Sequence, residues 1–155
     1  MTRAYLSLGS NMGDRAEHLR EGVRLMTRGV THRVSRVYET EPVGGVAQDV
    51  FWNLVVELVT SEIPTQLLAR AQGAEAARGR VRGVRWGPRT LDVDVLYVEG
   101  VTSDDPVLTL PHPRLYDRAF VLAPLRELAP DLVSEAQLAA GAGRVRVLGT
   151  LESLA

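Results

Sequence analysis

The chain has 155 residues, of which 45% are hydrophobic and 24% charged, with a net charge of -1. That length supports one domain with its own core, expected over residues 1–155, and the near-neutral balance gives no general attraction to nucleic acid or to a membrane. There is no Cys and no Lys, all 18 basic residues being Arg, which excludes disulfides, thiolate metal sites, a phosphate-loop lysine and a Schiff-base lysine.

In chain order, Ala4 to Leu8 reads as a short buried strand, and Met1-Thr2-Arg3-Ala4-Tyr5 runs into it without the layout of a signal peptide. No apolar run approaches the roughly 18 residues of a membrane helix, so a cytoplasmic location is expected. The turn Gly9-Ser10-Asn11-Met12-Gly13 follows. Asp14 and Glu17 have capping-box spacing, and Ala16, Leu19, Val23 and Met26 repeat at helical spacing. Val30 to Glu39 is rich in β-branched residues and reads as one strand with blurred alternation. A loop opens at Thr40-Glu41-Pro42-Val43-Gly44-Gly45. Phe51 to Thr60 is a strand with Trp52, Leu54, Val56 and Leu58 on an apolar face and Phe51, Asn53, Val55, Glu57 and Val59 on a mixed one. Pro64 suits the first turn of a helix running to about Arg78. A Gly- and Arg-rich loop covers 79–88, and a strand begins at Leu91. Leu110-Pro111-His112-Pro113 is a rigid turn, Tyr116 to Leu128 is helical, and the patterns beyond Pro130 suit a short helix and a strand. The order is β-α-β-β-α-β with a C-terminal extension. The expected fold is therefore α+β, a ferredoxin-like antiparallel sheet with helices on one face.

The stretch with most chemistry is Arg85-Trp86-Gly87-Pro88-Arg89-Thr90-Leu91-Asp92-Val93-Asp94. In a strand Asp92 and Asp94 share a face, with Cα atoms roughly 6 to 7 Å apart. Two carboxylates that close repel unless a cation lies between them. Mg²⁺ suits the position, because it takes carboxylate oxygens and leaves room for water and phosphate. Arg85 and Arg89 just upstream offer forked guanidiniums to phosphate oxygens. A D-x-D triplet alone is commonly a solvated strand face, whereas the arginines, Trp86 and the Gly-Pro turn beside it point to metal-assisted chemistry on a nucleotide.

These motifs resemble the 6-hydroxymethyl-7,8-dihydropterin pyrophosphokinase family. The resemblance is carried by Gly9-Ser10-Asn11, Tyr38-Glu39-Thr40-Glu41-Pro42-Val43-Gly44, Asn53, Gly79-Arg80-Val81-Arg82, the Arg85 to Asp94 string, and Pro111-His112-Pro113 through Arg118-Ala119-Phe120. It extends from residue 4 to about residue 130. It implies transfer of pyrophosphate from ATP to the pterin hydroxymethyl group, with release of AMP, in tetrahydrofolate biosynthesis. It further implies that Asp92 and Asp94 hold two Mg²⁺ ions, with Arg80 and Arg89 as catalytic cations. Gln72, Glu75, Arg82, Val95, His112 and Arg118, with Arg89, are implied on the nucleotide side. On the pterin side it implies stacking by Phe51 and Phe120, contacts from Thr40, Val43, Asn53 and Asp92, and Trp86 as part of a lid. Position 51 is Phe where Tyr is common in relatives, so stacking is kept and a hydroxyl contact is lost.

The expected partners are ATP and the hydroxymethyl-dihydropterin, with no nucleic acid and no membrane, and the chain is expected to be a monomer. Two other readings compete. A metal-dependent phosphoryl or nucleotidyl transferase with another acceptor would share the acidic pair and differ at Phe51, Asn53 and Phe120. A ferredoxin-like module binding RNA on its open sheet would need a net basic surface, which this chain lacks.

Overall fold

The computed structural model describes residues 1–40, 50–79 and 90–154. Strand β1 (Thr2–Ser10) leads into helix α1 (Arg15–Thr27). Asp14 caps this helix, its Oδ1 accepting the Glu17 backbone N–H at 3.1 Å, which satisfies a donor the first turn leaves open. The stretch expected as one strand over 30–39 is two, β2 (Thr31–Val34) and β3 (Val37–Thr40). The break is stitched by Ser35, whose N–H donates to the Val55 carbonyl at 2.9 Å and whose Oγ accepts the Val55 N–H, also at 2.9 Å. A side-chain oxygen thus replaces a ladder carbonyl at the step between the strands, which explains the blurred alternation.

Strand β4 (Phe51–Thr60) precedes helix α2 (Pro64–Ala77), which has Pro64 in its first turn. Strand β5 (Asp92–Val98) is followed by a hairpin that the sequence pattern does not announce, β6 (Ser103–Asp105) and β7 (Leu108–Leu110). Helix α3 (Ala119–Leu128), helix α4 (Glu135–Ala140), strand β8 (Val145–Gly149) and a 3-10 turn over Glu152–Leu154 complete the chain. The short helix and strand expected after Pro130 are therefore α4 and β8.

The main sheet runs β5-β1-β4-β3-β8, with β2 also pairing to β4, and all these pairs are antiparallel. The apolar face of β4 packs as expected. Leu54, Val56 and Leu58 join Leu6, Leu8, Val93 and Val95 under Leu19 and Met26 of α1 and Leu67, Ala71 and Ala74 of α2. Each fully buried leucine stabilises by about 1.5 to 3 kcal/mol relative to exposure. Gly22 lets α1 approach the sheet closely, since a Cβ there would lie 3.0 Å from both Leu8 and Leu91 side chains.

Both helices of the β-α-β-β-α-β core thus lie on one face. The C-terminal extension covers part of the other, where Tyr5, Val55 and Leu96 meet Val121, Leu122, Leu125 and Leu128 of α3. One register shift helps this second layer. Tyr5 pairs with Tyr97 but Leu6 pairs with Val95, leaving Leu96 as an extra residue in β5. Strict alternation would send Tyr97 to the same side as Val95. With the bulge, Leu96 and Tyr97 both join the α3 cluster.

At the far end of this face a buried carboxylate ties three elements together. Glu57 accepts the Tyr5 hydroxyl at 2.7 Å and two Arg33 N–H groups at 2.9 and 2.7 Å, while Arg33 also donates to the Leu128 carbonyl at 2.8 Å. The hydrogen bonds from Arg33 hold the Glu57 carboxyl below the usual carboxylate range, against the opposing effect of burial. A carboxyl lowered in the folded state contributes stability that is complete above its unfolded value of about 4.3 and is lost as pH falls through the folded value. Glu57→Gln is therefore expected to unfold more easily at pH 7 and to show a shallower stability loss between pH 5 and pH 3. Urea midpoints across that range check this, and equally steep acid loss in both proteins would refute it.

Candidate active site

Strand pairing places the chemistry. Asp92 pairs with Gly9, Gly9 with Asn53, and Asn53 with Tyr38. Residues directly opposite share a face, so Asp92 and Asn53 lie on the face that α3 partly covers. Asp94, paired with Ser7, is on the same side two residues along. Asp92 is half-buried and Asp94 exposed. The backbone between them is fixed from α2: the buried Glu75 carboxylate accepts the Val93 N–H at 3.0 Å. Gln72, three residues earlier, is exposed. Val95, expected among the nucleotide-binding residues, is buried in the core under α1 and α2. Its side chain points away from the acidic pair, which leaves its backbone, on the edge strand β5, as the part that a nucleotide can contact.

Beside the acidic pair lies a polar row with an aromatic neighbour. Asn53 is buried, and its Nδ2 donates to the Thr40 Oγ1 at 3.0 Å. Phe51 pairs with Thr40 across the strands. Gly9 makes this possible, because a Cβ there would fall 2.5 Å from the Asn53 Oδ1 and 3.6 Å from the Phe51 ring. Thr40, Arg118 and Phe120 line a cavity of about 170 Å³ together with Ala142, Gly143, Arg144 and Val145. The Arg118 guanidinium stands 5.5 Å from the centre of the Phe120 ring. Burial and Arg114 lower the Arg118 guanidinium from its ordinary value, while Asp94, Asp117 and Asp92 act to raise it. Asp94 and Asp92 are thus close enough to act on Arg118 electrostatically.

His112 sits on the turn after β7, its N–H donating to the Leu96 carbonyl of β5 at 2.8 Å. Burial, then Arg118 and Arg114, push its imidazole below the usual value, so it is neutral at pH 7. Its Nδ1 accepts the Arg114 N–H at 3.1 Å. The ring proton therefore resides on Nε2, which is left as a donor.

Asp92, Asp94, Asn53, Thr40, Phe51, Arg118, Phe120 and His112, quoted from separate stretches of sequence, are thus gathered at one end of the sheet. Val43, Arg80, Arg82, Trp86 and Arg89, with the two Gly-containing loops that hold them, lie outside the described residues. Sequence reasoning gave Gly9 only as part of a motif and overlooked 142–145 altogether. Gly9 carries a readable signal, a glycine inside a strand where another group approaches closely. The 142–145 segment, Ala142-Gly143-Arg144-Val145, belongs to no motif that marks it as part of a site.

The geometry defines an α+β domain that places an acidic pair, a neutral imidazole and a guanidinium next to an aromatic and amide slot. Comparison with known proteins makes the assignment specific. Residues 5–130 match the model of the 7,8-dihydro-6-hydroxymethylpterin-pyrophosphokinase (HPPK) family, and the chain belongs to that family. It is 47% identical over 136 residues to the 2-amino-4-hydroxy-6-hydroxymethyldihydropteridine pyrophosphokinase of Bacillus subtilis, covering 86% of this chain and 81% of that one. It is 49% identical over 142 residues to the enzyme of the same name from Methylorubrum extorquens, covering 86% of each. The fold is similar to that of Plasmodium falciparum HPPK-DHPS, with a TM-score of 0.62 at 14% identity over 99% of this chain and 43% of that longer one.

The close approach at Gly9 can be tested without substrate. Gly9→Ala is expected to force Asn53 off Thr40 and to destabilise the fold by about 1 to 3 kcal/mol, the usual cost of overpacking. Chemical denaturation measures it, and an unchanged midpoint would show that the strands have slack there.

Proposed function

We propose that this chain carries out its family's reaction at this end of the sheet: transfer of pyrophosphate from ATP to the hydroxymethyl group of 6-hydroxymethyl-7,8-dihydropterin, with release of AMP, in folate biosynthesis. The observation that carries the residue assignment is the shared face of Asp92, Asp94 and Asn53, with Arg118 within electrostatic reach of the two carboxylates. It puts a place for a phosphate-bound cation next to a place for a flat, hydrogen-bonding ring.

In this reading Asp92 and Asp94 hold Mg²⁺, two ions when ATP is bound. The donor set fits: two carboxylates on one face of β5, completed by phosphate oxygens and water, are what Mg²⁺ takes. Bound there, the metal supplies charge stabilisation on the attacking and leaving oxygens of an in-line displacement. The protein's own residues do the rest. Arg118 sets a positive charge between the aromatic slot and the acidic pair, where a polyphosphate would lie. His112 donates its Nε2–H to a phosphate oxygen. Arg80 and Arg89 neutralise charge in the transition state, and Gln72, Glu75 and Arg82 complete the nucleotide side. Glu75 does so from behind the strand, through the Val93 N–H.

Asn53, held by Thr40, presents its amide to the pterin edge, and a buried amide needs such partners. Phe51 and Phe120 stack on the ring faces. Asp92 and the backbone of Val43 add polar contacts, and Trp86 closes over the site. In the same reading the chain acts as a monomer on two small molecules, ATP and the pterin. No helix among the described residues is long and apolar enough to cross a membrane.

The experiment is AMP release from ATP and Mg²⁺ with and without the pterin. Wild type is expected to form AMP only with pterin. Asp94→Ala is expected to lose at least about a hundredfold in rate, the scale of removing a principal electrostatic group. ATP turnover indifferent to pterin would move the assignment to another acceptor. Asn53→Ala is expected to raise the KM for pterin about tenfold, on the scale of a lost hydrogen bond to a partner left unpaired, with the KM for ATP unchanged. Equal effects on both substrates would remove Asn53 from the ring site.

A further inference from the structure

Residues 131–154 lie beyond the family match, which ends at residue 130, yet part of this tail lines the slot. We infer that the segment Gly141–Val145 is a strap that sets the width of the pterin slot, with Gly141 as its positioning residue. The inference rests on the assignment of the slot to the pterin ring.

The strap is bonded to both walls. On the α3 side the Ala119 N–H donates to the Ala142 carbonyl at 2.9 Å, and the Ala142 N–H donates to the Asp117 carbonyl at 2.8 Å. These two bonds bracket Arg118 and lie beside Phe120. On the sheet side Val145 pairs with Thr40 and Arg146 with Glu39, and the Arg146 and Glu39 side chains are also joined by a salt bridge. Thr40 in turn holds Asn53. One continuous run of backbone therefore connects the wall bearing Phe120 to the wall bearing Thr40 and Asn53.

Gly141 is what allows the strap to lie so close to α3. A Cβ at this position would be 2.9 Å from the Leu122 Cδ1, 3.0 Å from the Ala119 nitrogen and 3.3 Å from the Ala119 Cα. Two of those neighbours are backbone at the start of α3, so they yield only if the helix end moves. The opposite end of α3 is pinned independently. Glu127 accepts the Tyr38 hydroxyl at 2.8 Å and pairs with Arg36 at 3.1 Å. With that end fixed, pressure at Ala119 tilts the end carrying Arg118 and Phe120 away from Thr40. The slot widens, and the ring loses simultaneous contact with both walls.

The test compares wild type, Gly141→Ala, Gly141→Val and Val133→Ala by direct pterin titration, steady-state kinetics and thermal melting. Val133 is fully buried in the α3 cluster and is not among the residues lining the slot, so it controls for lost stability alone. Expected is a graded weakening of pterin binding, about tenfold for Gly141→Val and less for Gly141→Ala, given what small misplacements cost a positioned site. Val133→Ala is expected to melt lower with pterin affinity unchanged. Wild-type affinity in a folded Gly141→Val would overturn the strap. So would equal pterin loss in Val133→Ala at a matched drop in melting temperature. Should Gly141→Val fail to fold, Gly141→Ala decides by the same comparison. Failure of wild type itself to bind pterin would overturn the assignment of the slot, an outcome distinct from failure of the variants.

Discussion

The site depends on the pairing of β1 with both of its neighbours. β1 lies between β5 and β4, and its register against both sets Asn53, Gly9 and Asp92 in one row across three strands. Side chains in a sheet alternate faces with a period of two, so a slip of one residue on either side would move one partner through the sheet. The register is held by the buried face beneath. Leu6, Leu8, Leu54, Val56, Val93 and Val95 all belong to one apolar cluster under α1 and α2. Specificity of the polar face is thus inherited from hydrophobic burial on the other. Gly9 adds a local condition, since only the absence of a side chain lets the Asn53 amide occupy the row.

The second dependency is α3. A β-α-β-β-α-β core alone would leave this face of the sheet open. The extension covers its far part with Leu122, Leu125 and Leu128, and the end bearing Arg118 and Phe120 stands over the polar row. The bulge at Leu96 turns two consecutive β5 residues toward α3 and so deepens the apolar contact. His112 hangs from the same bulge, through its bond to the Leu96 carbonyl. A single irregularity in β5 therefore serves both packing and the placement of a donor.

Much of this was legible in the sequence. The faces of β4 followed from alternation, the start of α1 from Asp14, and the acidic pair from strand periodicity. What could not be read had physical causes. The break between β2 and β3 depends on one serine hydroxyl acting as a backbone acceptor. The outward turn of Tyr97 depends on a bulge, which no local pattern of β5 encodes. The inward placement of the Val95 side chain follows from alternation, since it falls out of phase with Asp92 and Asp94. The strap was invisible because its bonds to α3 are made by backbone groups, which no residue type in the sequence announces. The roles of Arg80, Arg82, Trp86 and Arg89 rest on sequence resemblance alone.

The bond from Glu75 to the Val93 N–H has one more consequence. β5 is an edge of the sheet, and an edge with open N–H and C=O groups is a template on which another chain can add a strand. A carboxylate from α2 occupies one of the outward donors of β5. The helix thus takes up one donor of that edge from the side, away from the sheet face that carries Asp92 and Asp94. At the opposite edge that protection falls to charge, with Arg144 and Arg146 flanking and interrupting a β8 whose Val147 is exposed.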